Sequence, residues 1–530
     1  MSFIKKLWTV FTRPAEPSFE DKAAFDKIFI CFAISWFFFW SILPLISLNN
    51  EFIDGLENIV WGSHFQFGYD KNPYLGAWIG YAGWLLTGKS LWFNAVFSQI
   101  FVFAGFCSVY ALAKKMLPPS LALLSVLSLA AINFYGMKSV EFCDDVMELG
   151  LWPLTILFFY RALTRENRLS DWLATGFFLA CSAMVKYYVL VIMIPMAFVL
   201  LFTRKGRSAW KTPSVYCAAA LGLAISLPNL IWLCRNDMVA VDYALGRASL
   251  GGGVEWSRHL TMPLKAINRA LGVVIVPFGF MLPLLFPRPA KKSPTDEEKF
   301  DRLFLYCFAA GPMGITLLFS LFTGASINYS WVIPCFPFLP LLILHIFRPA
   351  MNPVRIRFFL TCVIAFGLLF GVIFSIRSLW WQGYSKRGCD YENFPGKAIA
   401  AVVTDDWRQT YRTPLPYVIG GREEACNLAV YSPDFPEAYF SANPNFSQWI
   451  REEDIREKGA ALLWEGNTGN KPEFLKRFRA PDWHVTDPVT VQVPRAVPPW
   501  FQRLVGRTPK TVELSYCFIR PSVLPEPEKH

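Results

Sequence analysis

The sequence has little charge and no pattern typical of nucleic-acid binding. Charged side chains make up 17% of the 530 residues, hydrophobic side chains make up 54%, and the mean hydropathy is +0.34. Soluble domains average about 25% charged residues, so this composition argues against a soluble protein and indicates a membrane protein. The formal net charge is +11, but most Lys and Arg lie in short clusters between apolar runs, where membrane topology explains them. We therefore expect no nucleic-acid partner.

Metal-binding and targeting patterns are also missing. The twelve cysteines form no CxxC pair and share no metal-ligand spacing with the five histidines, which predicts no zinc site. Only Cys389, Cys426 and Cys517 lie in the C-terminal region, where a disulfide can form if the compartment is oxidising. There is no cleavable signal-peptide pattern, because about 27 polar and mixed residues precede the first apolar run. We expect that first run to remain as a membrane anchor.

Apolar runs of spanning length are abundant. A helix that crosses the hydrocarbon core needs about 20 predominantly apolar residues, and the sequence predicts about eleven such helices. They cover approximately residues 28–47, 91–113, 120–136, 146–163, 169–184, 187–202, 214–234, 264–286, 304–324, 329–347 and 358–376.

The distribution of Lys and Arg tests this topology, because positive residues collect on the cytoplasmic side. Starting from a cytoplasmic N-terminus, they fall on alternate connections. These residues are Lys5, Lys6 and Arg13; Lys114 and Lys115; Arg161, Arg165 and Arg168; Arg204, Lys205, Arg207 and Lys211; Arg288, Lys291, Lys292, Lys299 and Arg302; and Arg348, Arg355 and Arg357. Counting the apolar stretch 74–88 as a span would invert every later connection, so we interpret it as re-entrant or as lying along the interface.

This topology predicts three regions in a multi-pass protein of the cell inner membrane. Residues 1–27 form a cytoplasmic N-terminal segment, residues 28–376 form the transmembrane domain with a first outer loop at 48–90, and residues 377–530 form a periplasmic domain. The last region is rich in turns and charge, with short apolar runs at 416–419, 428–431 and 460–464, which favours a small α/β domain. Pro and Arg enrichment at about 487–507 suggests an irregular strap before a last strand near 512–519, and we expect disorder after Pro521.

Ionisable residues beside a membrane are costly unless they pair or serve a substrate, and the first outer loop has most of them. Asp54 and Glu57 are three residues apart, so a helical segment would present both carboxylates on one face. Such a pair can supply a general base and hold a cationic or hydroxyl partner. A solvated acidic face is the simpler alternative. Lys71 can bind a phosphate or anionic headgroup, or it can be an interfacial lysine that snorkels.

Three later outer connections add candidates. Asp144 and Asp145 lie between two spans with almost no room for a solvated loop, where their role is either structural or functional. Lys186, in the short turn 184–188, either snorkels or faces an anion. The fourth outer loop contains Arg235 and Arg247 and a Gly-Gly-Gly run at 251–253. That run is no phosphate loop, because no Walker Lys-Ser/Thr follows it. Carboxylates and cations are thus predicted to gather on one face of the bundle, as suits a substrate with an apolar tail and a charged head.

At these positions the sequence resembles the GT-C membrane glycosyltransferases of the protein O-mannosyltransferase superfamily (glycosyltransferase family 39), which includes bacterial aminoarabinose transferases that act on lipid A. The resemblance covers nearly all of the membrane part. Its motifs are the acidic pair with Trp61-Gly62, Gly68-Tyr69-Asp70-Lys71-Asn72-Pro73 before Leu-Gly-Ala-Trp, Ser139-Val140-Glu141-Phe142 through Asp144-Asp145 to Leu151-Trp152-Pro153-Leu154, the turn 184–188, and 328–334. The segment 413–433 resembles the outer domain of bacterial members. The sequence departs from the family at Asn72-Pro73-Tyr74, where His-Pro-Pro or Lys-Pro-Pro is common, and at Asn229, where His is common.

The resemblance implies a polyprenyl-phosphate sugar as donor and transfer at the periplasmic face to an envelope lipid, glycan or protein. Cations should stabilise the departing phosphate, and a carboxylate should accept the proton of the attacking hydroxyl. Asp54 is the first choice as base, with Glu57 and Asp144 in reserve. Lys71, Lys186 and Arg235 or Arg247 are the phosphate-binding candidates, and Tyr69 and Asp145 are further substrate-binding candidates. We expect no divalent metal and no cofactor.

Two other classes of function fit a polytopic protein. A transporter or flippase of a lipid-linked or anionic solute would place ionisable residues near mid-membrane and often contains paired repeats, whereas this sequence has no repeat and its charges fall at one face. A membrane-anchored binding or sensor protein would need no acid clusters between its spans.

Overall fold

The computed structural model describes residues 21–165, 168–249, 255–285, 293–385, 387–467, 472–479 and 483–522. Several sequence-based predictions fall outside these residues. They are the cationic residues before residue 21, the cluster at Arg288, Lys291 and Lys292, the glycine run at 251–253, and the C-terminal residues after 522.

Helices dominate the described residues up to Ser375. Helix α1 (Lys22–Ser47) comes first, and the two helices of the first outer loop, α2 (Ile53–Gly62) and α3 (Leu75–Leu86), follow it. The next helices are α4 (Trp92–Met116), α5 (Pro119–Leu127), α6 (Asp144–Thr164), α7 (Leu169–Val185), α8 (Leu190–Phe202), α9 (Arg204–Ala209), α10 (Pro213–Arg235) and α11 (Val239–Arg247). After them come α12 (Arg258–Met281), α13 (Asp296–Ala309), α14 (Gly311–Thr323), α15 (Leu339–Phe347) and α16 (Pro353–Ser375).

The described residues include seven helices that are long and apolar enough to cross a membrane, or eight if the pair α13 and α14, bent by 45°, is one span. Each of the eleven predicted runs coincides with one of these helices, with this bent pair, or with a shorter apolar helix at Pro119–Ala131, Leu169–Val185 or Tyr187–Phe202. The multi-pass character is therefore confirmed, and the number eleven stays a prediction. Helix α3 has 12 residues and is about 18 Å long, too short to cross a hydrocarbon core of about 30 Å.

The chain divides into two compact units. The membrane unit comprises residues 1–41, 71–73 and 95–371, and the second unit comprises residues 42–70, 74–94 and 372–530. In the membrane unit, α4 and α6 approach so closely that a Cβ on Gly105 would lie 2.2 Å from the Leu149 carbonyl oxygen. Small residues permit such backbone contacts between helices in membranes.

The second unit contains most of the first outer loop. Its helices α2 and α3 also pack closely, since a Cβ on Gly62 would lie 2.2 Å from the carbonyl oxygen of Ala77. The same unit contains a π-helix (Ile376–Ser385), α17 (Gly396–Tyr411), α18 (Arg422–Tyr431), α19 (Glu452–Lys458) and α20 (Pro499–Val505). The predicted linear division of the chain did not anticipate this grouping of 42–70 and 74–94 with the C-terminal residues.

A five-stranded sheet forms the core of the C-terminal domain, in the order β2-β1-β3-β5-β4. The strands are β1 (Tyr417–Gly420), β2 (Glu437–Phe440), β3 (Ala460–Glu465), β4 (Val489–Pro494) and β5 (Thr511–Ile519). Strand β1 pairs in parallel with β2 and β3, and β5 pairs antiparallel with β3 and β4. Parallel neighbours need a crossover connection, and α18 supplies it between β1 and β2. The predicted small α/β domain is confirmed.

Three details of the C-terminal domain correct the sequence-based predictions. Residues 428–431 end helix α18 and form no strand, although they are apolar. The expected irregular strap at 487–507 contains strand β4 and helix α20, because β4 finds its hydrogen-bond partners on β5. None of the twelve cysteines, each of which the structure describes, forms a disulfide, so the disulfide considered among Cys389, Cys426 and Cys517 does not form.

Candidate functional site

The first turn of helix α6 carries the acidic pair predicted in the second outer connection. Asp144 and Asp145 are its first two residues, and each is 8% exposed. Carboxylates are favoured here because the unpaired N–H groups of a helix N-terminus carry partial positive charge. The side-chain amide of Asn72 donates a hydrogen bond to Asp144 Oδ2. The segment 71–73 and the start of α6 therefore meet within the membrane unit.

Lys186 connects the end of α7 to the short 3₁₀ turn Tyr187–Val189, which leads into α8. Its backbone is extended, with φ −155° and ψ 133°, and its ammonium forms an ion pair with Asp145. The lysine side chain is 15% exposed and the aspartate side chain 11% exposed. Lys186 is therefore no snorkelling lysine, since its ammonium binds a buried carboxylate in the membrane unit.

Glu148 lies one helical turn after these aspartates and was not predicted from the sequence. It is fully buried, and among the residues that the structure describes none makes a well-aligned hydrogen bond to either carboxylate oxygen, although the Trp152 side chain acts on the group. Lys186 and both aspartates act on it electrostatically. Because residues three and four apart share a helix face, α6 presents three carboxyl groups together. The spacing of Asp144, Asp145 and Glu148 is visible in the sequence, but Glu148 was not selected because it lies inside the apolar run 146–163.

Aromatic side chains bring three of the family-like motifs together in the membrane unit. The ring of Tyr188 stacks against Trp152 of α6 with centroids 6.0 Å apart and lies 5.9 Å from the ring of Trp331. Its hydroxyl lies 2.5 Å from the Thr316 hydroxyl. The turn 184–188, the Trp-Pro motif of α6 and the late motif at 328–334 thus form one aromatic cluster, in which Trp152 is buried.

The acidic pair of the first outer loop lies on helix α2, as the spacing predicted. Asp54 is half-buried in the first turn, whereas Glu57 is 1% exposed. Glu57 forms an ion pair with Arg422, the first residue of α18. The interpretation of Glu57 as part of a solvated acidic face is therefore wrong, because its carboxylate is buried and has a cationic partner.

Arg422 also binds a second buried carboxylate of the same loop. Its other terminal nitrogen pairs with Asp70, which is 0% exposed and precedes Lys71 in the chain. Sequence reasoning missed this arginine because nothing in the pattern around residue 422 relates it to residues more than 350 positions earlier. Only the acidic residues themselves indicated that a cationic partner was needed.

Tyr69 lies inside the second unit at 0% exposure, and its hydroxyl donates a hydrogen bond to the carbonyl oxygen of Trp61 at 2.7 Å. The two rings stack with centroids 5.2 Å apart. Lys71 is half-buried. Arg235 ends α10 and Arg247 ends α11, and both side chains are exposed.

Glu51, which precedes α2, is a further titratable group that sequence reasoning did not select. Its carboxylate accepts a hydrogen bond from the backbone N–H of Phe52 at 3.0 Å, and its own N–H donates to the hydroxyl of Tyr431 at 2.9 Å. Burial raises the pKa of Glu51 to about 7, against the opposing effects of Asn94, the Phe52 N–H and Lys397. This carboxyl group therefore titrates near neutral pH.

Among the residues that the structure describes, no group of three or more His, Cys, Asp and Glu side chains has an arrangement that could hold a metal ion. The expectation that no divalent metal takes part stays a prediction.

A family model and several curated relatives match this chain. The model of dolichyl-phosphate-mannose-protein mannosyltransferase matches residues 71–232, a segment that begins at Lys71 and contains Asp144, Asp145, Glu148 and Lys186. Lipid A galacturonosyltransferase RgtD of Rhizobium johnstonii is 23% identical over 252 residues, or 47% of this chain and 50% of the relative. Lipopolysaccharide core galacturonosyltransferase RgtB of the same organism is 22% identical over 301 residues, or 54% of this chain and 59% of the relative. The matches span between half and three fifths of the length of these relatives.

The fold is that of a solved membrane protein. The structure of ArnT from Cupriavidus metallidurans bound to undecaprenyl phosphate superposes with a TM-score of 0.59, covering 93% of this chain and 98% of that one at 12% sequence identity. Together with the sequence matches, this likeness confirms the resemblance to the GT-C membrane glycosyltransferases, and it confirms the fold class of a polytopic helical protein with a small C-terminal sheet domain.

Proposed function

We propose that this chain, which has the GT-C fold, is a glycosyltransferase that moves a sugar from a polyprenyl-phosphate donor to lipid A or the lipopolysaccharide core. One observation carries the proposal. The buried cluster of acids and one lysine in the membrane unit falls inside the segment matched by a family of mannosyltransferases that use a lipid-phosphate-linked sugar. The names of the relatives suggest lipid A or the lipopolysaccharide core as acceptor and galacturonic acid as the first sugar to test.

The proposed reaction is a single displacement at the anomeric carbon of the donor sugar. The acceptor hydroxyl forms the new glycosidic bond, the bond between the anomeric carbon and the phosphate oxygen breaks, and the lipid phosphate leaves with one additional negative charge. Cations lower the free energy of that leaving group, and we assign this role to Lys71 and Lys186. The hydroxyl proton passes to a carboxylate base.

Asp54 remains the proposed base. Its half-buried carboxylate lies at the start of α2, and its partial exposure makes it accessible to an acceptor hydroxyl. Glu57 is 1% exposed and Asp144 is 8% exposed, which makes these two reserve residues less accessible to a substrate. Arg235 and Arg247, both exposed at helix ends, stay candidates for the lipid phosphate.

The proposed orientation places the N-terminus in the cytoplasm of a cell with an inner membrane and the C-terminal domain in the periplasm. The alternation of Lys and Arg along the chain supports it. Fusions of alkaline phosphatase and of green fluorescent protein to the C-terminus test it. Phosphatase activity without fluorescence is the expected result, and the reverse pattern would contradict the orientation.

Mass spectrometry of lipid A and core oligosaccharide from a deletion strain tests the function. We expect the loss of one sugar residue, restored by the wild-type gene and by an exposed-site control, Lys138→Ala, but not by Asp54→Asn or Lys71→Ala. Purified protein should then transfer a sugar from undecaprenyl-phosphate galacturonic acid to lipid A in detergent, where transport is impossible. An unchanged glycan profile in the deletion strain would refute the proposal.

A further inference from the structure

The two buried carboxylates that Arg422 binds, Glu57 and Asp70, lie 13 residues apart in the first outer loop. One guanidinium nitrogen donates to Glu57 Oε1 and the other to Asp70 Oδ2. A guanidinium is planar and its donors have a fixed geometry. Arg422 therefore holds the two carboxylates at one separation and one relative orientation, which a flexible ammonium group could not do.

Local structure gives no reason for an arginine at this position. The residue is the first of helix α18, where the helix macrodipole disfavours a cation. Burying the charge also costs free energy unless its partners compensate. The compensation comes from the carboxylates and from three aromatic rings around the guanidinium carbon, Trp61 at 5.8 Å, Phe440 at 5.2 Å and Phe446 at 5.1 Å. The second unit therefore supplies the partners that stabilise the buried charge of this arginine.

Both carboxylates lie in the segment that carries the proposed base. Glu57 follows Asp54 by three residues on the same helix, α2, so the position of Glu57 fixes the rotation of the helix that carries the proposed base. Asp70 is the last residue of the stretch 42–70 of the second unit, which contains α2, so its ion pair with Arg422 fixes a second point of the segment that carries Asp54. We call the group of Arg422, Glu57 and Asp70 the clamp. Aromatic rings from two different elements, Trp61 on α2 and Phe440 on β2, lie beside its guanidinium.

We propose that Arg422 is a positioning residue for glycosyl transfer, through which the C-terminal domain sets the placement of Asp54. This inference rests on the proposed function and deepens it. The C-terminal domain is then a part of the catalytic apparatus, and its contribution is one arginine that touches no substrate.

Steady-state kinetics of purified full-length variants test the proposal. Arg422→Ala should lower kcat by about 100-fold or more, because misplacement by about 1 Å can reduce a rate by that factor. Arg422→Lys restores the charge without the fork and should recover only part of the loss. The KM for the undecaprenyl-phosphate sugar should change by less than about threefold, since Arg422 makes no proposed contact with the lipid. Arg503→Ala, at an exposed position of α20, is the matched control and should behave as wild type.

A neutral triple variant separates positioning from simple charge compensation. Glu57→Gln, Asp70→Asn and Arg422→Met together remove every charge of the clamp, so no unpaired charge remains buried and thermal stability should return close to the wild-type value. We expect kcat of this variant to stay at least about tenfold below wild type. Recovery of full activity with recovered stability would overturn the positioning role.

The failure of the proposed function has a different signature. If wild-type protein transfers no sugar under any donor and acceptor tested, the glycosyltransferase assignment fails and the role of Arg422 fails with it. If wild type is active and the Arg422→Ala variant is folded and equally active, only the positioning role fails.

Discussion

Two of the buried charged clusters among the described residues are built in opposite ways. In the membrane unit, three carboxyl groups lie on consecutive turns of one helix, Lys186 pairs with Asp145, and no described residue makes a well-aligned hydrogen bond to the Glu148 oxygens. In the second unit, two carboxylates that are distant on the loop share one arginine, which is surrounded by aromatic rings. In the first cluster Glu148 has no cation paired with it at salt-bridge distance among the described residues, whereas in the second each acid pairs with the same rigid guanidinium.

This difference teaches what each cluster is suited for. Buried polar groups without hydrogen bonds lower stability, and natural proteins retain them mostly where function requires it. A buried ion pair whose geometry is fixed instead specifies one arrangement of the backbone. We therefore expect substitutions in the membrane cluster to affect chemistry directly, and those in the second cluster to act through placement.

The largest effect in the membrane cluster is expected for Lys186. Lys186→Met removes the ammonium that pairs with Asp145 and a proposed partner of the leaving phosphate, so transfer should fall by about 100-fold or more. Initial rates with purified protein measure it. Lys138→Ala, which changes an exposed lysine, should leave the rate unchanged. Wild-type rates in the Lys186 variant would place this lysine outside the reaction.

Glu148 should show a smaller loss of activity together with a gain of stability. Glu148→Gln keeps the side-chain volume and removes the buried carboxylate, which is costlier to bury than an amide. We expect the melting temperature to rise by a few degrees and the transfer rate to fall by about tenfold. Thermal denaturation and initial rates on one preparation measure both. A lower melting temperature with an unchanged rate would mean that Glu148 serves structure alone.

In the second unit, a pH-dependent stability is expected from Glu51. Its pKa is about 7 in the folded protein against an ordinary value of 4.5, because it is buried. The folded state thus holds this proton more tightly than the unfolded state, and stability declines as pH rises from about 4.5 to about 7. The stability advantage of Glu51→Gln over wild type should grow through that window and level off above it. Melting temperatures between pH 4 and 8 measure this, with Glu453→Gln, at an exposed position, as the control. A constant difference across the range would contradict the titration.

The smallest expected effect comes from removing metal ions. The proposed reaction uses lysines rather than a metal for the leaving phosphate, so dialysis against a chelator should leave the transfer rate within about twofold of the untreated protein. Restoring Mg²⁺, Mn²⁺ or Zn²⁺ should add nothing. A rate that is lost with the chelator and restored by one of these ions would show that a metal replaces or assists Lys71 and Lys186.

Much of the membrane part could be predicted from the sequence, because its signals are local. Apolar runs mark the helices, and the order of acidic and lysine motifs indicated the membrane cluster around Asp145 and Lys186. Turn residues and apolar runs also indicated the α/β domain. Strands β2 and β4 were missed because both are edge strands of the sheet: β2 has only four residues, and β4 has only one buried residue to mark it.

The parts that could not be predicted depend on pairing across long sequence separations. Residues 428–431 look like a strand by composition, yet they complete helix α18, because tertiary packing overrides a weak local preference. Arg422 could not be assigned to Glu57 and Asp70 by any local rule. No local rule could indicate the environment of Glu51 either, because its partners include residues near 397 and 431.

The separation of 365 residues between Glu57 and Arg422 has a consequence for biosynthesis. A nascent chain inserts its spans in order, so the first loop leaves the ribosome long before α18 is made. During that interval its two acids lack their arginine. If the proposed function is correct, a truncated or unfinished product would contain Asp54 and Lys71 but would lack the positioning arginine. Such an incomplete chain would transfer no sugar from the lipid-linked donor.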